Sequence, residues 1–485
     1  MSTVNALMEK HHRAIIFSWF SLQRPARLTT SFQYVITYSA AIITCIWRLC
    51  EEVMADTAPI GSQLAEALNR DCYCIAVNKE TLHDSLEAHL RDSGLPEQLL
   101  DTHSHLFADS PVFLWQGHLQ KMEQLIRAVE TVTHNSAYRE AVLAVAPATA
   151  RQDFGPRGAF FGYDFHLGAK GPQLIEINTN AGGVLLNLYL ATAQQACCDE
   201  LITFFDGRTN FADAENELIA MFVEEWQLQC PDKTLQTIAI VDNEPSAQFL
   251  YPEFLLFQSL FERHGIEGMV ADPKDFTIKE DALWLGEQKI DLVYNRLTDF
   301  YMQTPESACL AAAYQKGAAV FTPSPYVYAL YADKRNLPLL SDSDRLREFG
   351  VAEEAIAALG HSLPTTVTVT QDNADQLWTN RKQLFFKPAT GYGSRGAYRG
   401  AKLTRRVWED ITHADYVAQA IVPPSERQLM INGEKQSLKL DIRCVTYNGK
   451  IQQLSARLYQ GQTTNLRTEG GGLATVFSTP KSDCC

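Results

Sequence analysis

Two short apolar runs, Phe160 to Leu167 and Gln173 to Asn178, are separated by Gly168, Gly171 and Pro172, which is turn chemistry. This pattern predicts a β-hairpin. Side chains alternate along a strand, so Ile175 and Ile177 share one face while Glu176 and Asn178 share the other. With Ala169-Lys170-Gly171 as the loop, the register sets Asp164 opposite Glu176. Two carboxylates and an amide oxygen then converge.

The spacing elsewhere predicts a mixed architecture. From Ser62 to Val145 the pattern is mostly helical, with Leu119, Met122, Ile126 and Val129 on one stripe, a core face. The histidines scattered through this region show no metal-ligand spacing. Helices are expected over Leu185 to Cys197 and Leu218 to Trp226. Near Leu235 the pattern turns to alternating elements: strand Thr237 to Val241, helix Ala247 to His264, strands Gly268 to Ala271 and Lys289 to Tyr294, helix Pro305 to Lys316. Such alternation implies a small parallel sheet, with ligands at the carboxyl ends of its strands. Arg296 lies at one of those ends and is a candidate contact for an anionic substrate; a structural ion pair is the competing reading.

Length and charge narrow the possibilities. A chain of 485 residues suggests two or three domains, and the composition is that of a soluble globular protein. A net charge of −15 argues against general binding to nucleic acid or to an anionic membrane. Eleven scattered cysteines without paired C-x-x-C spacing fit reduced thiols in a cytoplasm. Residues 1–53 stand apart as an atypical extension: Phe32 to Trp47 is short for a spanning helix, and a translation start at Met54 competes with an anchor. Oligomeric state is open, a homo-oligomer included.

The chemistry gathers in two places. Oxygen-only ligands such as Asp164, Glu176 and Asn178 suit Mg²⁺, which binds through one or two carboxylates and completes its shell with phosphates and water. An ordinary exposed hairpin carrying solvated acids is the alternative. Far along the chain, strand Leu384 to Phe386 runs into Lys387 and then Gly391, Gly393, Ser394, Arg395 and Gly396, where glycines let backbone amides approach phosphates. It is neither a Walker A loop nor a kinase glycine loop. The apolar strand Tyr416 to Val422 is suited to present backbone groups to an adenine edge. Leu438 to Tyr447 and Lys450 to Tyr459 flank Asn448-Gly449, a hairpin turn, with Asp441 and Arg443 on one face. A strict two-residue register turns Arg457 to the other face unless a bulge re-aims it.

The stretch DIRCVTYNGKIQQLSARLYQGQTTNLRTEGGGLATV resembles ATP-grasp ligases of the α-L-glutamate ligase type, and TPSPYVYALYADKRNLPLL is similar to the entry of that family's first ATP-binding helix. YDFHLGAKGPQLIEINTNAGG resembles the family's D…E-x-N segment, displaced to precede the glycine loop as in eukaryotic-type glutathione synthetases. The resemblance implies an α/β (α+β) chain with a circularly permuted ATP-grasp fold, a small parallel-sheet pre-ATP-grasp domain and a helical N-terminal region. The expected segments are 54–150 helical, 151–205 the permuted metal-binding part, 236–325 the pre-ATP-grasp domain and 326–480 the ATP-grasp domain. It also implies an ATP-dependent ligase forming an amide bond between a small carboxylate and an amine, an amino acid or peptide, with one or two Mg²⁺ ions or Mn²⁺ in their place. Lys334 and Lys387 would be the ATP lysines, Gln419, Ala420, Ile421 and Val422 the adenine hinge, Asp441 a ribose or nucleotide contact, and Asn465 part of the triphosphate end. Arg443, with Arg467 or Arg457, would stabilise the transferring phosphoryl group. Two departures stand out: Gln419 where such ligases often carry Glu, and R-T-E-G-G-G where H-R-G-G is usual. A phosphotransferase and a non-catalytic ATP-binding module on the same fold are the alternatives.

Overall fold

A computed structural model describes residues 60–72, 77, 82, 84, 86, 106–197, 211–391 and 395–479. The 1–53 extension and the loop residues Gly393 and Ser394 lie outside them.

Strands are numbered in chain order. The largest sheet runs β1 (Val112–Trp115), β18 (Gly472–Thr479), β17 (Lys450–Tyr459), β16 (Glu434–Tyr447), β2 (Phe161–Gly168), β3 (Gly171–Asn178), with β15 (Ser425–Ile431) also paired to β16. It joins strands from opposite ends of the sequence: Arg443 of β16 sits across from Asp164 of β2. Asn448 and Gly449 take the positive φ values of 49° and 71° that a tight right-twisting hairpin needs. Ile442, Cys444, Ala456, Leu458 and Ala474 pack on one face of this sheet with Met122, Ile126 and Val129 of the Gln116–Thr133 helix, all three fully buried. That leaves the opposite face for the polar residues of the same strands.

The parallel sheet is ordered β10 (Val320–Thr322), β9 (Leu292–Asn295), β4 (Thr237–Val241), β5 (Glu267–Ala271). The expected continuous strand Lys289 to Tyr294 is divided. Its first residues form β8 (Gln288–Ile290), which closes a meander with β6 (Phe276–Lys279) and β7 (Ala282–Leu285). The break falls at Asp291, whose carboxylate accepts the backbone N–H of Gln236 at 2.9 Å and so ties the chain to the start of β4. A third sheet, β11 (Thr366–Thr368), β14 (Tyr416–Ala420), β12 (Leu384–Pro388), β13 (Tyr398–Arg399), carries the glycine loop.

The Ile60–Asp71 helix is pinned from a distance. Arg427 of β15 is fully buried and donates to the carbonyls of Leu68, Asn69, Cys72 and Pro111, while the Asn69 amide exchanges two hydrogen bonds with the backbone of Phe113. No helix among the described residues is long and apolar enough to cross a membrane.

Candidate active site

The early hairpin turns through two residues, Ala169 and Lys170, with Gly168 paired to Gly171. The three-residue loop expected from the sequence is therefore corrected. Asp164 still faces Glu176, because a bulge between Asp164 and Phe165 shifts the register by one residue and restores the pairing. Asn178 lies across from Gly162, and its Nδ2 donates to Asp164 Oδ2 at 3.0 Å.

A second bulge, between Val445 and Thr446, sets Asp441 opposite Arg457 and Arg443 opposite Ser455. Arg457 is thereby brought to the same face as Arg443, where a strict register would have hidden it. The side chains form a chain of alternating charge. Arg443 donates to both oxygens of Asp164 at 2.6 and 2.7 Å, Arg457 reaches Asp164 at 2.8 Å and Asp441 at 2.7 and 3.0 Å, and Thr464 donates to Asp441 at 2.5 Å. Burial works against the Asp164 charge, but the two guanidiniums outweigh it and hold the carboxyl below its usual range. Both Asp164 oxygens are thus engaged by cations, and Asp441 is engaged by Arg457 and Thr464.

The third sheet brings Lys387, and the turn between the Pro325–Tyr331 and Asn336–Leu340 helices brings Lys334. Lys387 at the end of β12 is buried; its Nζ donates to the Ile175 carbonyl at 2.8 Å and to Gln419 Oε1 at 2.9 Å. Burial is the main cause that lowers this ammonium to about 8, with Glu176 opposing and Lys334 adding to the shift. Lys334 Nζ donates to the Gly391 carbonyl at 2.9 Å and stands 3.8 Å from Glu176. For Glu176, burial pushes the carboxyl up, but Lys334 and Lys387 together prevail and hold it low.

Between these groups lies a cavity of about 430 Å³. Glu176, Asn178, Lys334, Lys387, Gly391, Arg395, Gln419 to Val422, Arg443 and Arg457 all line it. Seven basic side chains against two carboxylates, Glu176 and Glu426, make it strongly anion-attracting in a chain of net charge −15.

No family model and no curated protein matches the sequence. Solved structures do. A glutathione synthetase-like effector, GSS30, from Globodera pallida in its apo form matches with a TM-score of 0.52 at 10% identity, over 84% of this chain and 100% of that one. The chain has a glutathione synthetase-like fold, of the ATP-grasp type expected from its motifs. Weaker likenesses are to a gamma-glutamylcysteine synthetase described as putative, from Methylobacillus flagellatus KT (TM-score 0.41, 10% identity, 72% of this chain and 87% of that one), and to the ATP-grasp ligase PsnB with a minimal precursor (0.26, 16%, 47% and 78%).

Not every expected residue reaches the cavity of this ATP-grasp-type fold. Arg296 is buried, and its Nη1 donates to the carbonyls of Asn180 and Ala181 at 2.8 and 3.0 Å, so its guanidinium fastens the segment after Asn178 to the parallel sheet. Asn465 closes its own turn, donating to Gln460 and accepting from Arg467 N and Thr468. Arg467 stands 5.5 Å over the Phe249 ring, and Gly396 accepts from the Tyr416 hydroxyl. In the adenine hinge, the amides of Ala420 and Ile421 are already donated to Thr365 and Gln383. Arg296, Gly396, Asn465 and Arg467 thus do not line this cavity, whereas Ala420 and Ile421 line it with their backbone amides already engaged.

Several lining residues were missed, Arg399, Glu426, Lys439 and His166 among them. His166 follows Asp164 by two positions and so shares its face of β2; that alternation was the available signal. Its Nδ1 lies 2.8 Å from the Val422 carbonyl, an acceptor, so Nδ1 carries the proton and Nε2 is left an acceptor in the neutral ring. Burial is the main cause that keeps the imidazole below its ordinary value, the Val422 bond opposing.

The residues fit a magnesium nucleotide in part. Gln419 is buried with its Nε2 donor unpartnered, and the cavity's cations suit phosphates. Among the described residues no group of three or more His, Cys, Asp or Glu side chains is placed to share an ion. Glu176 with the amide oxygen of Asn178 suits a cation whose remaining ligands are phosphate and water. Asp164, already held by two arginines, does not present an open oxygen.

Proposed function

We propose that this chain is an ATP-dependent carboxylate-amine ligase acting through an acyl phosphate. The observation that supports it is the meeting of Glu176 and Asn178, from the early hairpin, with Lys334, from the turn before the Asn336–Leu340 helix, and Lys387, from the third sheet, around one cationic cavity. In this reading residues 151–205 and 326–480 make one ATP-grasp domain in permuted order, and 236–325 precede it as a separate unit.

Lys334 and Lys387 neutralise the triphosphate as point charges. Glu176 and Asn178 would hold Mg²⁺, or Mn²⁺, which supplies further neutralisation of the β- and γ-phosphates when bound. A substrate carboxylate oxygen bonds to the γ-phosphorus as the bridging P–O bond breaks and ADP leaves. Arg443 and Arg457, held rigid by Asp164 and Asp441, stabilise charge on the transferring group. The amine then bonds to the acyl carbon, inorganic phosphate departs, and the nitrogen loses a proton. Exclusion of water by the glycine loop protects the acyl phosphate from hydrolysis.

The test is a screen of ADP release across amino acids and short peptides, singly and in pairs, followed by product mass. A ligase gives ADP and phosphate only when acid and amine are both present, with a product lighter than their sum by one water. A stable phosphorylated product formed without an amine would replace this reading with a phosphotransferase, and no turnover with any pair would leave only a binding module.

A further inference from the structure

β17 and β18 are paired only from Ser455 to Leu458 against Thr475 to Gly472. Beyond Ser455 and Thr475 the two strands part: β17 continues along β16, and β18 continues along β1. The split holds a cavity of about 380 Å³, closed by the Val184–Cys197 and Phe211–Gln229 helices and by one end of the Gln116–Thr133 helix. It shares no lining residue with the nucleotide cavity. Gln453 stands four residues before Arg457 on β17, roughly 13 Å away at strand rise.

This cavity is built of acceptors. Asn187 is only 3% exposed; its Nδ2 donates to the Gly183 carbonyl at 2.6 Å, and its Oδ1 has no partner. Gln453 Nε2 donates to the Val184 carbonyl at 3.0 Å, and its Oε1 likewise has none. Those two bonds fix which way the amides face, so the unmatched atoms are carbonyl oxygens. Gln452 Oε1 and the hydroxyls of Thr475 and Ser478 are also buried without partners, and all five residues line the cavity. Leaving so many buried polar atoms unpaired is costly, and native proteins seldom do so around one site without a ligand or water. Glu217 and Glu123 add negative charge to the lining, Glu123 with Arg127 3.9 Å away, and among the described lining residues there is no Lys, Arg or His.

We propose that this cavity binds a small molecule bearing a protonated primary amine. The ammonium donates to the unmatched amide oxygens, its charge is offset by Glu217 and Glu123, and the volume suits a ligand at the small end of the usual range. This site does not depend on the nucleotide reading.

The experiment is calorimetric titration of the full chain with 1,4-diaminobutane and, as the uncharged match in length, 1,4-butanediol. Saturable binding of the diamine is expected, with the diol at least tenfold weaker. Asn187→Leu and Glu217→Gln should each weaken the diamine at least fivefold while ATP affinity is unchanged. Glu217 is exposed, so its variant keeps the test valid should Asn187→Leu fail to fold. Equal affinity for diol and diamine, unchanged diamine affinity in Glu217→Gln, or no saturable heat, meaning a cavity filled by water alone, would overturn the proposal.

Discussion

Glu176 stays charged against burial because two ammonium groups face it, the same groups that the proposed function assigns to phosphate. Replacing it with Ala removes the one open carboxylate of the cluster; ADP release should fall by on the order of 10²- to 10³-fold while the circular dichroism spectrum is kept. Wild-type turnover in that variant would remove Glu176 from the chemistry. Lys387 gives a pH dependence with a defined sign. Its folded value is lowered to about 8 from 10.5, so the folded state binds fewer protons than the unfolded chain between those limits, and this group adds stability as pH rises through that window. In the proposed ligase the protonated form meets the nucleotide, so ATP affinity should decline as pH climbs past about 8, a decline that Lys387→Met should abolish in a fluorescence titration. The two lysines, Glu176 and Asn178 were legible in the sequence because their residue types and local motifs carry the signal. The pairing of Asp164 with two arginines was not, because a carboxylate that binds magnesium and one that binds arginines are written with the same letter. Asp164→Asn should cost roughly 3–5 kcal/mol in denaturant unfolding, since it strands the buried Arg443 guanidinium and leaves Arg457 with Asp441 alone.

Elements decided what residue types could not. Both working hairpins contain a bulge, and each bulge selects the side chains that face the cavity. The Asp164–Glu176 pairing was anticipated through a three-residue loop and is reached through a two-residue loop plus one bulged residue; either route moves the register by one. No composition signal marks such an insertion, which is why Arg457 ranked below Arg443. Close approach is also an element property. A Cβ on Gly162 would come within 2.9 Å of Ala181 Cβ and 3.0 Å of Arg443 Nε. Gly162→Val should therefore displace Arg443 and lower kcat more than ATP affinity, since neither lysine lies on this sheet; an unchanged kcat would show that the guanidinium can shift without loss. Just after β13, a Cβ on Gly400 would sit 1.9 Å from the Arg381 carbonyl oxygen, so Gly400→Ala should destabilise by about 1–3 kcal/mol or more in thermal unfolding.

At the scale of the whole molecule, the mixed α/β class and the small parallel sheet follow from hydrophobic periodicity, whereas the sharing of one sheet by the two ends of the sequence does not. Local patterns report which face is apolar; they are silent on which distant strand will pair with it. The long-range field follows from the same arrangement: a cationic cleft in an acidic protein draws anions inward, so the association rate of ATP should fall as salt rises, and stopped-flow traces at several ionic strengths read that directly. Arg427 carries a different lesson. Because this guanidinium has its acceptors on residues 68 to 72 and 111, hundreds of positions upstream, trimming the chain to begin at the hairpin would not yield a smaller working enzyme. Such a fragment would strip Arg427 of those carbonyls while the adjacent Gln428 carbonyl stays, and aggregation on expression is the expected result, relieved in part by Arg427→Leu.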